Sequence, residues 1–464
     1  PLYNYGVHGY ELSLIISLTR IMLLQAIIMG SSVILTSVLN SYRNFLLPAI
    51  GSVLYNVGII VGLGVGIIIA LVAHQQFKSE AFNTTTIYAA TWGVVLGAFF
   101  LVAVQIPSLF KVGMHYTFSF AWWHPAILQI VRLMLPRFLN AAMLSLSTAV
   151  DRNLIFLLGS TIGPNVLPGL ISQYLLAFSL VLMPINIFGN SISTAAFPSL
   201  NDNVAMGRFD DVRSTIQNAL RSILFLSIPS SVGLMILSLP VVQVLYEHGV
   251  FTFDNSQSMA VPLVCFAVGL PGLAAVEILT RSFYALRDSK TPVMVSVWQF
   301  ILKIALAILL LNPAVWLVQI GFSSIVHTTL SQQQLEGAWG MGALALSTSV
   351  AGLLEATIML WLLHQRIGQL QLRSLLQFVV RVMLATLAMA VGLIIARWLL
   401  DMVLAINETG NQSLHLVEIF IAFSKLLLEI FCGLFIYLRI ARLLSIETLG
   451  PVRRLLNRFK LSWI

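Results

Sequence analysis

Long apolar stretches recur along the whole of this 464-residue chain, and they constrain its fold more than any other feature. Each is long enough to cross roughly 30 Å of hydrocarbon as a helix that rises about 1.5 Å per residue. Hydrophobic residues make up 58% of the chain and charged residues only 9%, whereas soluble domains carry roughly 25% charged residues. The pattern predicts an all-α fold, a polytopic integral membrane protein with about eleven transmembrane helices. The predicted spans are 15–39, 47–73, 87–108, 131–158, 166–197, 219–245, 258–282, 292–312, 338–364, 374–400 and 414–438.

Basic residues are concentrated in every second loop, while the loops between them contain only Lys78. Because Lys and Arg in short loops are retained on the cytoplasmic side during insertion, the basic tail 441–464 is predicted to be cytoplasmic and residue 1 to lie outside. The net charge of +8 then reflects topology, and we predict no nucleic-acid partner. The basic set is Arg43, Lys111, Arg208, Arg213, Arg221, Arg281, Arg287, Lys290, Arg366, Arg373, Arg439, Arg442, Arg453, Arg454, Arg458 and Lys460.

Sequence motifs of catalysis and metal binding are absent. The chain contains no G-x-x-x-x-G-K-[ST], H-E-x-x-H or G-x-S-x-G segment. Its two cysteines, Cys265 and Cys432, lie in apolar runs without a C-x-x-C spacing. We therefore predict that the chain is not an enzyme and binds no structural metal. A membrane glycosyltransferase ranks below a transporter, because no loop carries an Asp cluster suited to a metal ion.

The predicted span 131–158 carries polar side chains along one helical face. An ionisable side chain at the centre of a span costs at least about 2.5–3.5 kcal/mol, so it should face a polar partner or a wet cavity. We interpret the face as the wall of a hydrophilic cavity; the alternative is a structural polar seam between packed helices. Its members are Arg137, Asn140, Ser147, Thr148 and Asp151.

Lys303 is predicted to lie near the membrane midplane. It shares a helical face with Ser296 and Gln299 and lies roughly 17 Å from the cytoplasmic end of its span at the helical rise per residue. A buried ammonium needs a carboxylate nearby, and the candidates are Asp151 and Glu355.

Three further features occur inside spans. Glu355 shares a helical face with Thr348, and Glu277 precedes Arg281 by four residues. The latter spacing is favourable for a helical ion pair, which we interpret as structural and near the cytoplasmic end. Pro184 is predicted to kink its helix, because proline removes a backbone donor.

Several stretches resemble the MurJ/MviN family, proposed flippases of the lipid-linked peptidoglycan precursor. The most specific are FYALRDSKTPV within 281–293 and LYEHGVFTFDNS within 239–256. The resemblance runs from the start of the chain to about residue 440 and thus covers nearly all of it. The other similar segments are 35–60, 147–160, 194–201 and 340–352.

The resemblance implies an architecture of two six-helix lobes followed by an extra helix pair, which in the family borders a groove suited to a polyprenyl tail. In this chain the N-lobe is expected to be incomplete, because its first three spans are missing, and we expect the sequence to be fragmentary. The implied parts are the last three N-lobe spans (1–112), an interfacial linker (113–129), the six-helix C-lobe (130–366), the extra transmembrane pair (367–440) and the basic cytoplasmic tail (441–464).

The chain departs from the family pattern at two further places. Phe178 and Ser179 stand where the family commonly has an Asp-Arg pair, and Lys303 stands where it often has Asn. In contrast, Asp151 and Arg152 match the family's Asp-Arg in the preceding helix. The departures remove one charge that could be directed at phosphate and add a cation inside the membrane.

The resemblance implies a lipid II flippase that works by alternating access in the bacterial cytoplasmic membrane. Its substrate would be an undecaprenyl-diphosphate-linked sugar-peptide, with membrane lipids and cell-wall synthesis proteins as further partners. Arg137, Arg152 and Asn140 are the expected substrate contacts. The expected coupling residues are Asp151, Lys303, Thr348 and Glu355, with no cofactor other than a monovalent cation, sodium or proton. The alternatives are a related polysaccharide or drug exporter and a non-transporting membrane scaffold.

Overall fold

The computed structural model shows a chain built of long helices. Ten helices of the described part are long and apolar enough to cross a membrane, and no strand occurs there. The all-α, multi-pass membrane fold is therefore confirmed, and the predicted count of about eleven spans is close. The structure describes residues 10–42, 44, 46–73, 79–111, 125, 138, 142–143, 145–158, 167–249, 251–319, 332–368, 370–404, 416–444 and 446.

The helices follow one another with short connections. They are α1 (Tyr10–Ser41), α2 (Leu46–Val72), α3 (Glu80–Lys111), α4 (145–158), α5 (Leu167–Pro184), a π-helix (Ile185–Asn190), α6 (Ser191–Ala205), α7 (Phe209–Ile236), α8 (Ser238–Tyr246), α9 (Phe253–Ala285), α10 (Lys290–Gln319), α11 (Gln332–Ile367), α12 (Leu372–Leu404) and α13 (Leu416–Leu443).

Two compact units divide the chain, Pro1–Trp122 and Trp123–Ile464. The division falls inside the predicted linker 113–129, while the assignment of the units to family lobes stays a prediction. In the first unit α3 packs against both α1 and α2. Where α2 meets α3, a Cβ added at Gly93 would lie 2.7 Å from the Cα of Gly62, so the two backbones touch. Small residues permit such close approach between membrane helices.

In the second unit α9 is the central helix, packed against α5, α7 and α11. Its contact with α11 is close, because a Cβ added at Gly272 would lie 2.8 Å from the Cα of Leu353. Across the same contact the Ser349 hydroxyl donates to the carbonyl of Cys265 at 2.7 Å. These contacts hold α9 and α11 as a rigid wall for the site described below.

The predicted span 166–197 is longer than expected and contains a π-helix. Pro184 has no N–H to donate to the carbonyl of Leu180, and its ring crowds that carbonyl. The π-helix Ile185–Asn190 follows directly, and α6 then continues to Ala205. A π turn holds one more residue than an α turn and therefore changes the faces on which the following side chains lie.

The predicted single span 219–245 is wrong in its bounds. The helix α7 begins at Phe209 and ends at Ile236, and α8 follows as a separate helix. Pro240 explains the break, because it cannot donate to the carbonyl of Ile236 four residues earlier. That carbonyl accepts instead from Nη1 of Arg397 in α12, at 3.3 Å.

The turn before α10 is fixed by Asp288. Its carboxylate accepts from the backbone N–H groups of Lys290 and Thr291, both at 3.1 Å, and forms an ion pair of 2.9 Å with Arg366. Burial alone would raise the pKa of Asp288, but these hydrogen bonds and the guanidinium lower it below its ordinary value. The carboxylate therefore stays charged at the positive end of α10 and anchors the helix that carries Lys303.

Candidate functional site

A cavity of about 630 Å³ lies inside the second unit, between α4, α5, α9, α10 and α11. On α9 its wall runs from Phe266 to Tyr284, which is about 27 Å along a helix. The wall combines apolar and ionisable side chains. Its residues are Met143, Ser147, Thr148, Asp151, Tyr174, Leu175, Phe178, Phe197, Phe266, Leu273, Val276, Glu277, Thr280, Arg281, Tyr284, Ser296, Gln299, Lys303, Thr348 and Glu355.

The centre of the site is a buried ion pair between Lys303 of α10 and Asp151 of α4. Nζ of Lys303 lies 2.7 Å from Oδ2 of Asp151 and 2.6 Å from Oγ of Ser147. The same carboxylate oxygen accepts from the Tyr174 hydroxyl at 3.0 Å. The two charged side chains are only 5% and 8% exposed. Of the two predicted partners for Lys303, the structure selects Asp151.

This pair is held by short bonds on one side only. Oδ2 of Asp151 accepts from two donors, while Oδ1 has no hydrogen-bond partner among the described residues. A buried ion pair stabilises a fold only when good geometry offsets the cost of desolvating both charges. The unused acceptor at Oδ1 gives the site capacity for another donor or a cation.

Glu355 of α11 is buried in the same cavity but is not the partner of Lys303. It accepts from the Ser296 hydroxyl at 2.9 Å. Thr348 also lines the cavity, and its hydroxyl donates to the carbonyl of Leu344 at 3.1 Å. The predicted coupling residues therefore meet in one cavity, although no contact between Glu355 and Lys303 joins them.

The predicted substrate contacts are placed less centrally. Arg137 and Asn140 lie outside the described residues. Arg152 is exposed and does not line the cavity, in contrast to its neighbour Asp151. The structure thus brings together Ser147, Thr148 and Asp151 from the polar face of this helix.

Sequence reasoning missed three residues of the cavity wall. The pair Glu277 and Arg281 was interpreted as structural, yet both side chains line the cavity. Tyr174 was not singled out, although a hydroxyl inside an apolar span signals a buried partner. Phe178, which replaces a family charge, packs 5.1 Å from the ring of Phe266 and makes this part of the wall apolar.

A second, apolar groove of about 650 Å³ lies in the same unit. It is formed by α5, the π-helix, α7, α8, α12 and α13. The Tyr437 hydroxyl, one of its few polar groups, is already bonded to the carbonyl of Phe225 at 2.7 Å. The groove therefore suits a hydrocarbon chain and not a polar ligand.

A family model described as "Lipid II flippase MurJ" matches residues 2–406. The chain is 29% identical over 386 residues to a "Probable lipid II flippase MurJ" of Buchnera aphidicola, which covers 83% of this chain and 66% of that protein. It is 27% identical over 298 residues to the "Lipid II flippase MurJ" of Burkholderia cenocepacia, covering 63% of this chain and 54% of the relative. The chain therefore spans somewhat less than two thirds, or about half, of these relatives' lengths.

The fold is also similar to a solved structure, "Lipid II flippase MurJ, inward closed conformation". The TM-score is 0.64 at 22% sequence identity, and the match covers 95% of this chain and 77% of the solved chain. At this identity the likeness supports the helical architecture alone.

Proposed function

The chain belongs to the MurJ family, and from this membership we propose that it moves a lipid-linked peptidoglycan precursor across the bacterial cytoplasmic membrane. The substrate is an undecaprenyl-diphosphate-linked sugar-peptide. The observation that carries the proposal is a cavity with buried charges inside a membrane-spanning helix bundle. Ionisable groups at such depth mark the path of a polar solute.

The two concave surfaces of the second unit match the two halves of such a lipid. The charged cavity suits a sugar-peptide headgroup, and the apolar groove suits a polyprenyl tail. Alternating access lets the headgroup cross through the cavity while the tail remains in hydrocarbon. Contacts of Arg137, Asn140 and Arg152 with the substrate belong to the same proposal.

We further propose that the cavity charges couple transport to a monovalent cation, sodium or proton. Asp151 and Glu355 are acidic groups inside the bundle, and Lys303 already places a positive charge beside Asp151. Thr348 adds a hydroxyl to the same wall. The charge pattern of the loops supports a cytoplasmic C-terminus and residue 1 on the outer side.

Reconstitution of the full chain in proteoliposomes tests this function. With the precursor supplied in one leaflet, we expect its headgroup to reach the opposite leaflet faster than in protein-free vesicles. Imposed sodium or proton gradients, applied in parallel, identify the coupling ion. An unchanged distribution of the precursor between leaflets, with the protein folded, contradicts the proposal.

A further inference from the structure

Arg281 lines the cavity, and its charge is less neutralised than that of Lys303. The nearest printed carboxylate contact is to Oε2 of Glu277, which lies 3.8 Å from Nη2 of Arg281, beyond hydrogen-bond distance. The Arg281 side chain is 23% exposed, whereas that of Lys303 is 5% exposed and lies 2.7 Å from Asp151. The cavity therefore contains one cation that is paired and one that is available.

Two neutral acceptors hold the Arg281 guanidinium in place. Nη1 donates to Oγ1 of Thr194 at 2.6 Å, and Nη2 donates to Oδ1 of Asn190. The Thr194 hydroxyl in turn donates to the carbonyl of Asn190 at 2.6 Å, which leaves its oxygen free to accept from Arg281. A guanidinium has five N–H donors, so these two bonds orient the group without using up its donors or its charge.

Arg281 lies far from the buried ion pair along α9. The ring of Phe266 is 5.1 Å from that of Tyr174, whose hydroxyl bonds Asp151, so Phe266 marks the level of the pair. Arg281 follows Phe266 at a distance of about 22 Å along the helix axis. It lies one turn before the end of α9, next to the loop that the charge pattern makes cytoplasmic.

We infer that Arg281 binds the diphosphate of the lipid-linked substrate where the headgroup enters the cavity from the cytoplasmic side; this inference rests on the proposed function. A diphosphate is an anion that accepts two parallel N–H bonds, and an oriented guanidinium offers such a fork. Direct bonds to phosphate oxygens are stronger than the 3.8 Å contact to Glu277 that they compete with. Asn190 and Thr194 are positioning residues for this fork.

Transport kinetics in proteoliposomes test the role of Arg281. For Arg281→Gln we expect the substrate concentration at half-maximal rate to rise about tenfold or more, as for loss of a hydrogen bond to a charged group. Arg281→Lys, which keeps the charge but not the fork, should lie between the two, and Thr194→Val should show a smaller rise. Arg208→Gln, at an exposed position outside the cavity, is the matched control and should transport like the parent.

The outcomes separate this inference from the proposed function. Parental transport with unchanged half-saturation in Arg281→Gln overturns the inference and leaves the function standing. No transport by the parent overturns the function, and lipid binding in nanodiscs then decides on Arg281 alone.

In that binding arm, Arg281→Gln should weaken undecaprenyl diphosphate more than undecaprenyl monophosphate at an unchanged melting temperature. Inorganic diphosphate should displace the lipid from the parent but not from the variant. Equal weakening of both lipids, a lowered melting temperature that accounts for the loss, or binding of inorganic diphosphate without the lipid overturns the inference.

Discussion

Lys303 and Asp151 are each tolerated inside the bundle because the other is present. Both side chains are almost completely buried, and their 2.7 Å contact is reinforced by Ser147 and Tyr174. Removing one partner leaves the other charge uncompensated in a medium of low dielectric constant, which is more costly than removing both. The pair therefore acts as a unit, and single and double substitutions should differ in sign or size.

Lys303→Met should destabilise the protein by about 3–5 kcal/mol, the usual cost of breaking a buried ion pair on one side. Adding Asp151→Asn should recover most of that loss, because the buried charge is then removed as well. The free energy of unfolding can be measured by denaturant titration of detergent-solubilised protein. A double variant as unstable as Lys303→Met would contradict the account.

At this scale the sequence predicted the need for a partner better than its identity. An ammonium deep in an apolar span requires a carboxylate, but the choice between Asp151 and Glu355 depends on how α4, α10 and α11 pack. Arg281 was assigned to Glu277 because the local i,i+4 spacing sufficed to explain both residues. Its actual bonds go to Asn190 and Thr194, which are remote in sequence.

At the scale of helices, contact between α2 and α3 depends on glycine. The buried residues of α2 are Gly51, Gly58, Gly62, Gly66 and Ala70, which form a stripe without large side chains. In lipid no hydrophobic effect drives helices together, so close van der Waals contact has to do so. A methyl group on this stripe should act quite differently from one on the opposite face.

Gly62→Ala should destabilise the first unit by about 1–3 kcal/mol, the cost of overpacking a tight contact. The added Cβ would lie 2.8 Å from the carbonyl oxygen of Ala89 and 2.9 Å from the backbone nitrogen of Gly93. Gly64→Ala is the matched control on the same helix, because its Cβ meets nothing within 4 Å. It should stabilise by about 0.5–1 kcal/mol through helix propensity. Equal melting temperatures for the two variants would contradict this difference.

The spans themselves were predictable, because hydropathy and length suffice to identify helices that cross a bilayer. The break at Leu237 and the π-helix after Pro184 were not. A proline shows that one backbone bond is missing, but whether the helix kinks, breaks or widens depends on what satisfies the freed carbonyl. At Ile236 that group is Arg397, which comes from a different helix.

For the molecule as a whole, the second unit offers two surfaces of opposite chemistry. The cavity contains an ion pair and further ionisable groups, whereas the groove beside α12 and α13 is almost entirely apolar. A substrate with a polar head and a long hydrocarbon tail would use both, and a water-soluble drug would use only the first. The length of the lipid tail is therefore an informative variable.

Gly233→Phe should impair transport of the long-chain lipid while sparing an analogue with a short prenyl chain. Gly233 lines the groove, and a Cβ added there meets nothing within 4 Å, so the ring should enter the groove without disturbing α7. We expect the ratio of long-chain to short-chain transport rates to fall about tenfold, equivalent to about 1.4 kcal/mol of lost tail contact. A proportional loss for both lipids would indicate that the tail lies elsewhere.

The π-helix Ile185–Asn190 also concerns how this chain can vary over evolutionary time. Removing a single residue from it would restore an ordinary α-helical register and rotate everything downstream by about 100°. Asn190 and Thr194 would then turn away from Arg281, although every side chain around the cavity would still be encoded. Insertions and deletions in this short segment are consequently more disruptive than substitutions, and its length, more than its composition, should be under selection.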